Sequence, residues 1–406
     1  MAHAANDTPG CGLARAEWAI KLRRMLMQHA PGTSSVLAQI LRESPIVIGL
    51  GTGALVLVHW SPSGSIDGVR NVAWSLWLVT VILLCAFRAM AHADELAEIL
   101  GEPYGTLILT VAAITIEVAA VCAVMLGAGG DDTVARDTMF SVLMIILNLL
   151  LGLALLMGGA RRTVQEFNAQ SAGAYMPLIV ALGMITLVLP RFTTSREGGW
   201  MSDPMMVFVG IASLAIYAVF LGMQTSRYRE FFAHGAAGEH ATDARPEGRH
   251  AGSLRRHGVL LFLALAAVVM VAEGLAGRVG SLLRALDVPS GLGGVFIALL
   301  VLAPEGLAAV GSARANDMQR SMNILLGSAL ATIGLTVPAV IAIHFITGAT
   351  PEFGLDAPYI VLLVTTFMVA SLNLRGGKVN AMQGVVHLLL FLAWIATILD
   401  EASVAS

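Results

Sequence analysis

Long apolar segments separated by short polar connections make up most of the chain. A bilayer core of about 30 Å is crossed by roughly 20 apolar residues in a helix. Charged, Gly-rich and Pro-rich breaks leave eleven such segments. They lie at residues 45–60, 71–91, 105–127, 138–158, 174–190, 204–224, 257–277, 291–311, 325–347, 357–373 and 381–399. The pattern predicts an all-α polytopic membrane protein with about eleven transmembrane helices.

The composition agrees with this interpretation. Hydrophobic residues make up 57% of the 406 residues and charged residues only 13%, against roughly 25% charged in an average soluble domain. Cys11, Cys85 and Cys122 have no metal-ligand spacing and are too few for a disulfide framework. The sequence therefore gives no support to zinc or redox chemistry.

Lys and Arg are distributed unevenly between the two sides of the predicted layout. The basic N-terminal arm lacks the apolar core of a secretory signal, so we place it in the cytoplasm. Alternate connections then carry 18 basic residues on the cytoplasmic side and 6 on the other side. This bias follows the positive-inside rule and supports eleven spans with a cytoplasmic N-terminus.

The predicted segments divide the chain into six parts. These are a cytoplasmic N-terminal arm (1–44), a first transmembrane helix (45–70), a first five-helix repeat (71–224), a cytoplasmic linker (225–256), an inverted second five-helix repeat (257–399) and a tail (400–406). The polar loop at residues 226–258 contains His234, His240, His250 and His257, whose spacing matches no compact metal site. A solvated flexible linker explains this composition better than a metal site does.

Two isolated glutamates mark an internal repeat. Glu117 and Glu305 each lie in an apolar segment, twelve residues after the glycine that opens it. Ser141 follows Glu117 by 24 residues, and Ser328 follows Glu305 by 23 residues. The two glutamate segments are the third and the eighth, so five helices per repeat place the second copy upside down. Inverted repeats with an ion site near the midplane are typical of secondary transporters.

The two midplane carboxylates are the strongest candidates for a functional site. A charged side chain at the centre of a helix costs about 2.5 to 3.5 kcal/mol on insertion. Function is therefore the default interpretation of Glu117 and Glu305, and a permanently protonated glutamate bonded between helices is the alternative. Two facing carboxylates cannot both stay ionised cheaply, so we expect them to bind protons or a cation that prefers oxygen ligands.

Other polar groups are available to support these glutamates. A proline inside a helix removes one hydrogen bond and frees the carbonyl four residues back, although a kink for packing alone would leave the same pattern. Hydroxyl groups also bond to their own helix backbone, and histidine can relay protons because it titrates near neutral pH. The possible supporting residues are Thr115, Ser141, Asn148, Leu300, Pro304, Ser328, Thr332 and His387.

Several motifs resemble a known family. The stretch GEPYGTLILTVAAITIEV (Gly101–Val118) is similar to the first signature repeat of CAX-type cation/proton exchangers, and Glu117 matches that family's ion-binding glutamate. The patterns LAPEGLAA, NDMQRSMN, GSALATIGLTVP, TGATPEFGLDAP and HLLLF resemble, in order, those of bacterial ChaA-type calcium/sodium/potassium–proton antiporters. Glu305 lies in the PEG element of this series.

The chain departs from the family pattern beside each glutamate. Most exchangers of this type have Gly-Asn just before the glutamate, where this chain has Ala113 and Ile114 in one half and Val301 and Leu302 in the other. The amide oxygens that a calcium shell would use are therefore missing from these places.

The resemblance implies a secondary transporter and not an enzyme. We expect export of Ca²⁺, with Na⁺ and K⁺ as further candidates, in exchange for H⁺ by alternating access, with Glu117 and Glu305 as metal ligands. A cation channel and an intramembrane enzyme are the alternatives. The sequence does not resemble a selectivity filter, as a channel would require. Neither glutamate has a neighbouring catalytic group on its own helix, as an enzyme would require. The expected partners are membrane lipid, small cations and protons, with no cofactor and no nucleic acid, in a bacterial inner membrane.

Overall fold

The computed structural model describes residues 34–58, 68–100, 108, 112, 114–118, 132–160, 162–196, 198–225, 251–285 and 292–405. Within these residues almost all of the chain is helical. The helices are α1 (Ser34–Leu57), α2 (Gly68–Leu100), α3 (Val134–Met144), α4 (Leu151–Gly159), α5 (Ala169–Gly183), α6 (Leu189–Phe192), α7 (Asp203–Thr225), α8 (Ala251–Ala285), α9 (Leu292–Arg314), α10 (Met318–Ala331), α11 (Val337–Thr347), α12 (Ala357–Leu374) and α13 (Ala381–Ala405). Two short strands, β1 (Gln165–Glu166) and β2 (Lys378–Val379), pair antiparallel.

Eight helical stretches of the described residues are long and apolar enough to cross a membrane. They are Val72–Leu96, Ala135–Gly159, Ala169–Phe192, Asp203–Gln224, Ser253–Ala272, Met318–Thr347, Ala357–Leu374 and Ala381–Ser403. Each coincides with a predicted segment. Two further predicted segments, 45–60 and 291–311, lie mainly in α1 and α9, and most of 105–127 lies outside the described residues. The chain is thus an all-α polytopic membrane protein.

Several helices are longer than their predicted apolar segments. Helix α1 begins at Ser34, within the predicted N-terminal arm, and α8 begins at Ala251, within the predicted linker. Helix α13 ends at Ala405 and so includes most of the predicted tail. Hydropathy marks the residues at bilayer depth, and these helices continue into polar residues beyond that depth. Residues 226–250, with three of the four linker histidines, lie outside the described residues.

Three spans in the described part of the chain contain a π-helical segment. These segments are Ile145–Leu150, Met184–Val188 and Thr332–Thr336. The first begins four residues after Ser141 and the third begins four residues after Ser328. The alignment of the two halves on these serines therefore also aligns a local distortion of the helix, a feature that is rare and frequently found at functional sites.

Connections from the two halves also pair at both ends of the fold. At one end Gln165 pairs with Val379 in the small sheet, and at the other end Trp200 forms a bridge with Glu352. The span Ala169–Phe192 separates Gln165 from Trp200, a distance of about 36 Å at 1.5 Å per residue. In each pair, the connection before the fourth predicted helix of one half meets the connection after the fourth predicted helix of the other half. The roles of the two halves are exchanged between the two ends, as an inverted repeat requires.

Among the residues that the structure describes, most buried apolar side chains form two separate clusters. The larger one lies among the helices from α3 onward other than α6 and α8. The smaller one joins α1, α2 and α8, which we call the peripheral bundle. Ile116 and Leu300 also belong to the smaller cluster. The peripheral bundle therefore packs directly against the two segments that carry the membrane glutamates.

Candidate functional site

Glu117 and Glu305 line the same cavity, although they are far apart in the sequence. The cavity has a volume of about 10 Å³, which is room for about one water-sized particle. Its lining residues are Met90, Ile114, Ile116, Glu117, Val301, Leu302, Pro304, Glu305 and Ser328. The fold thus brings together one carboxylate from each half of the chain.

Glu117 is held by hydroxyl groups of the opposite half. Its side chain is 4% exposed and lies in the helical segment 114–118. Thr332 Oγ1 donates to Glu117 Oε2 at 2.8 Å, and Thr336 Oγ1 donates to Glu117 Oε1 at 3.2 Å. The two threonines are four residues apart on the π-helical segment and therefore face the same side. Both oxygens of the carboxylate are oriented from one helix.

Glu305 is held within its own half. It lies in α9 directly after Pro304 and is partly exposed. Ser328 Oγ, from the neighbouring helix α10, donates to Glu305 Oε2 at 2.5 Å. Helix α9 continues through Pro304, whose nitrogen has no hydrogen to give to the carbonyl of Leu300. Pro304 itself lines the cavity beside the carboxylate.

The cavity offers two acidic groups and no basic side chain among its lining residues. A negative charge on both carboxylates at this depth is costly, because repulsion adds to the loss of hydration. A proton or a bound cation relieves that cost, and the three hydroxyl donors orient the carboxylate oxygens for either one. The arrangement is suited to reversible binding of a small cation in competition with protons.

The rest of the cavity wall is apolar. Ile114 and Leu302, which stand where the exchanger pattern has an amide, both line the cavity. Among the lining residues, side-chain oxygens come only from Glu117, Glu305 and Ser328. Ca²⁺ usually takes six to eight oxygen ligands, so this wall offers fewer than a full calcium shell.

The other predicted supporting residues lie in different surroundings. Asn148 and His387 are fully buried but do not line the cavity. Asn148 Nδ2 donates to Thr366 Oγ1 at 2.8 Å, and its Oδ1 lies 3.3 Å from His387 Nδ1. Asn373 Nδ2 lies 3.2 Å from His387 Nε2. These contacts join three spans of the larger cluster.

Three more predicted residues also lie outside the lining of this cavity. Ser141 is buried on α3, Thr115 is partly buried beside Glu117, and Leu300 is buried within the smaller apolar cluster. Three residues that the structure places at the site were not predicted from the sequence: Thr336, Met90 and Ile116. Thr336 stands one helical turn after Thr332, and this spacing was the available signal. Met90 has no such signal, because a methionine in an apolar helix is ordinary.

Comparison with known proteins agrees with this architecture. The family described as "Sodium/calcium exchanger protein" matches residues 70–226 and 257–399. The chain is 36% identical over 352 residues to "Putative ionic transporter y4hA" of Sinorhizobium fredii, covering 86% of this chain and 93% of that protein. It is 35% identical over 349 residues to "Sodium-potassium/proton antiporter ChaA" of Escherichia coli, covering 85% and 93% respectively.

A solved structure shows the same fold. The crystal structure of the H⁺/Ca²⁺ exchanger CAX superposes with a TM-score of 0.67 at 16% sequence identity, covering 90% of this chain and 89% of that chain. The predicted resemblance to cation exchangers is confirmed by these matches. Since the family model covers both halves and most of their spans, the chain belongs to the sodium/calcium exchanger family.

Proposed function

We propose that this protein is a secondary cation/proton antiporter whose exchange site is the cavity between Glu117 and Glu305. One observation carries the proposal: two carboxylates from opposite halves line a cavity that has no basic side chain among its lining residues. Protons or a cation balance the charge of this pair. Alternating access would let a cation displace protons on one side of the membrane and protons displace the cation on the other.

Each polar group at the cavity has a separate role in this proposal. The carboxylates of Glu117 and Glu305 bind the cation or the protons. Ser328, Thr332 and Thr336 donate hydrogen bonds to the carboxylates and keep their oxygens oriented in both states. Because the donors come from α10 and the π-helical segment after it, a movement of this span changes the surroundings of both glutamates together.

Na⁺ and K⁺ are the proposed principal cargo. The apolar side chains of Ile114 and Leu302 reduce the number of oxygen ligands at the cavity, and monovalent cations lose less from an incomplete shell than Ca²⁺ does. The relative from Escherichia coli is named a sodium-potassium/proton antiporter. Ca²⁺ is the second candidate, because two ionised carboxylates would match its charge of two.

Proton flux in reconstituted vesicles tests this proposal. Purified protein in acid-loaded proteoliposomes receives Na⁺, K⁺ or Ca²⁺ outside, and an internal dye reports the loss of protons. We expect cation-dependent proton efflux that is at least about 100-fold slower in Glu117→Gln and in Glu305→Gln, a loss of about 2.7 kcal/mol. Glu166→Gln is the matched control, since its carboxylate is 72% exposed in β1, and it keeps the wild-type rate.

The same vesicles separate an antiporter from a channel or an enzyme. An imposed pH gradient drives uphill accumulation of radioactive Na⁺ through an antiporter, whereas a channel only equilibrates the ion. Uphill accumulation that persists in Glu117→Gln or Glu305→Gln would refute the assignment of the site. Equilibration without accumulation would refute antiport itself.

A further inference from the structure

A second polar cluster lies in the peripheral bundle, where it joins all three helices. Glu43 comes from α1, Arg88 and His92 come from α2, and His257 comes from α8. Arg88 Nη2 donates to Glu43 Oε1 at 2.7 Å, and His92 Nε2 lies 3.0 Å from Glu43 Oε2. His92 Nδ1 lies 3.0 Å from His257 Nδ1. His257, which was expected in a solvated loop, lies on α8 in contact with His92.

The cluster is buried at its centre and open to water at its edge. The side chain of His92 is only 2% exposed, and that of Glu43 is 18% exposed. Glu43 also lines an open cavity of about 440 Å³ together with Arg255 and Arg256 of α8. Protons can therefore reach the buried histidine through the partly exposed carboxylate. The charged groups that face His92 are Glu43, Arg88 and His257, with Arg255 and Arg256 beyond them.

The geometry of the two imidazoles limits how many protons the cluster holds. Two ring nitrogens at 3.0 Å form a hydrogen bond only if one carries a proton and the other offers a lone pair. One added proton is accommodated, because His92 then donates from Nε2 to Glu43 and from Nδ1 to His257. A further proton on His257 makes two N–H groups and two positive charges face each other, and this contact breaks.

Helix α2 connects this cluster with the exchange cavity. Met90, which lines the cavity, lies between Arg88 and His92 in the sequence. An offset of two residues places Met90 on the opposite side of the helix from both of them. One side of α2 therefore faces the cavity with the glutamates. The opposite side forms the polar contacts with Glu43 of α1 and His257 of α8. Loss of the contact between His92 and His257 would remove this polar link between α2 and α8, while their apolar packing remains.

We propose that Glu43, Arg88, His92 and His257 form a proton-binding regulatory site that is separate from the exchange site. This inference rests on the proposed antiport function. When the second proton binds, the polar contact between His92 of α2 and His257 of α8 is lost and exchange slows. The site lies on the predicted cytoplasmic side, so acidification there would stop further proton entry through an exchanger that imports protons.

The pH profile of exchange tests this site directly. The pH gradient and cation concentration are held constant while the absolute pH on the cluster side is lowered from about 8 to about 5.5, a range that brackets the ordinary histidine pKa of about 6.5. We expect the wild-type rate to fall severalfold, and His92→Gln and His257→Gln to lose this decline. His344→Gln is the matched control, since His344 lies on α11 and bonds to the carbonyl of Ala349. It keeps the wild-type profile.

Two charge variants give shifts of opposite sign. Removal of the carboxylate in Glu43→Gln disfavours the protonated cluster, so the midpoint of the pH profile moves to lower pH. Removal of the guanidinium in Arg88→Gln favours the protonated cluster, so the midpoint moves to higher pH. Equal shifts in one direction, or a wild-type decline retained in both histidine variants, would overturn the proposal while leaving antiport itself intact.

A double-mutant cycle tests the contact without any transport measurement. The Tm of wild type, His92→Ala, His257→Ala and the double variant is measured in detergent at high and low pH, with and without a metal chelator. We expect non-additive Tm shifts at high pH that become additive at low pH. Additive shifts at both pH values would show that the histidines are not coupled. A coupling that disappears with the chelator would identify a metal site and refute the proton site.

Discussion

The two halves of the chain hold their glutamates in different ways. Glu117, in the first half, is buried and accepts hydrogen bonds from Thr332 and Thr336 of the second half. Glu305, in the second half, is partly exposed and accepts from Ser328 of the same half. The second half thus supplies the hydroxyl donors for both carboxylates. The helical arrangement is repeated in the two halves, but the hydroxyl donors to the glutamates are not.

The origin of this difference is visible at matched positions of the π-helical segments Ile145–Leu150 and Thr332–Thr336. When Ser141 is aligned with Ser328, Ile145 corresponds to Thr332 and Leu149 corresponds to Thr336. The first half therefore has apolar side chains where the second half has hydroxyl donors, so its span cannot bond to a carboxylate from these places. We infer that Glu117 is the more tightly oriented of the two glutamates.

Shortening each glutamate by one methylene group gives the largest contrast between them. Glu117→Asp withdraws a carboxylate that two fixed donors orient, and a misplacement of about 1 Å at such a site can cost about 100-fold in rate. Glu305→Asp withdraws a carboxylate with one donor, and we expect a loss of about tenfold. The measurement is kcat/KM for the cation in proteoliposomes. Equal losses in the two variants would contradict the asymmetry.

The second-largest effect is expected when the two hydroxyl donors to Glu117 are removed. The double variant Thr332→Val and Thr336→Val keeps the side-chain volume but leaves the carboxylate without these two hydrogen bonds. We expect KM for the cation to rise about 30-fold, or about 2 kcal/mol, within the range for hydrogen bonds to charged groups. Thr397→Val is the control, because that hydroxyl bonds to the carbonyl of Ala393 within its own helix. A wild-type KM in the double variant would show that the threonines do not orient Glu117.

Much of the fold could be predicted from the sequence, because bilayer thickness fixes how many consecutive apolar residues a span needs. The ends of the helices could not be predicted in this way. Helix α1 includes Glu43, which lies before the predicted segment 45–60, and Arg88 and His92 of α2 contact this carboxylate. Hydropathy counts each residue alone and does not register a partner that is distant in the sequence.

The candidate site could be predicted only in part for a similar reason. A lone carboxylate at bilayer depth is costly, so Glu117 and Glu305 were conspicuous. Hydroxyls are common in membrane helices, where they often bond to their own backbone, so Thr332 was only one of several possibilities and Thr336 was missed. Which hydroxyl meets a carboxylate depends on how the helices pack.

The aligned serines of the two halves, Ser141 and Ser328, are expected to give a smaller difference in KM. Ser328→Ala removes the single hydroxyl donor to Glu305, and we expect KM for the cation to rise about tenfold. Ser141 occupies the matching place in the first half but does not line the cavity. Ser141→Ala should therefore change KM by less than about threefold, or roughly 0.6 kcal/mol. A larger effect of Ser141→Ala than of Ser328→Ala would reverse the assignment of the donors to the second half.

The smallest effect on exchange is expected at Asn148, which lies on the first-half π-helical segment where the second half has Leu335. Asn148→Leu removes the hydrogen bond to Thr366 and the contact between the amide oxygen of Asn148 and Nδ1 of His387. Buried groups without partners cost about 1–3 kcal/mol each, so we expect a lower Tm with less than about a twofold change in KM.

Leu149→Met is the control for Asn148→Leu, since it changes a neighbouring side chain of the same segment at nearly constant volume. It should leave both Tm and KM close to wild type. The decisive result is how the effect of Asn148→Leu divides between stability and binding. A tenfold rise in KM with an unchanged Tm would place Asn148 among the groups that support the cation. It would also mean that the first half contributes polar chemistry to the cavity after all.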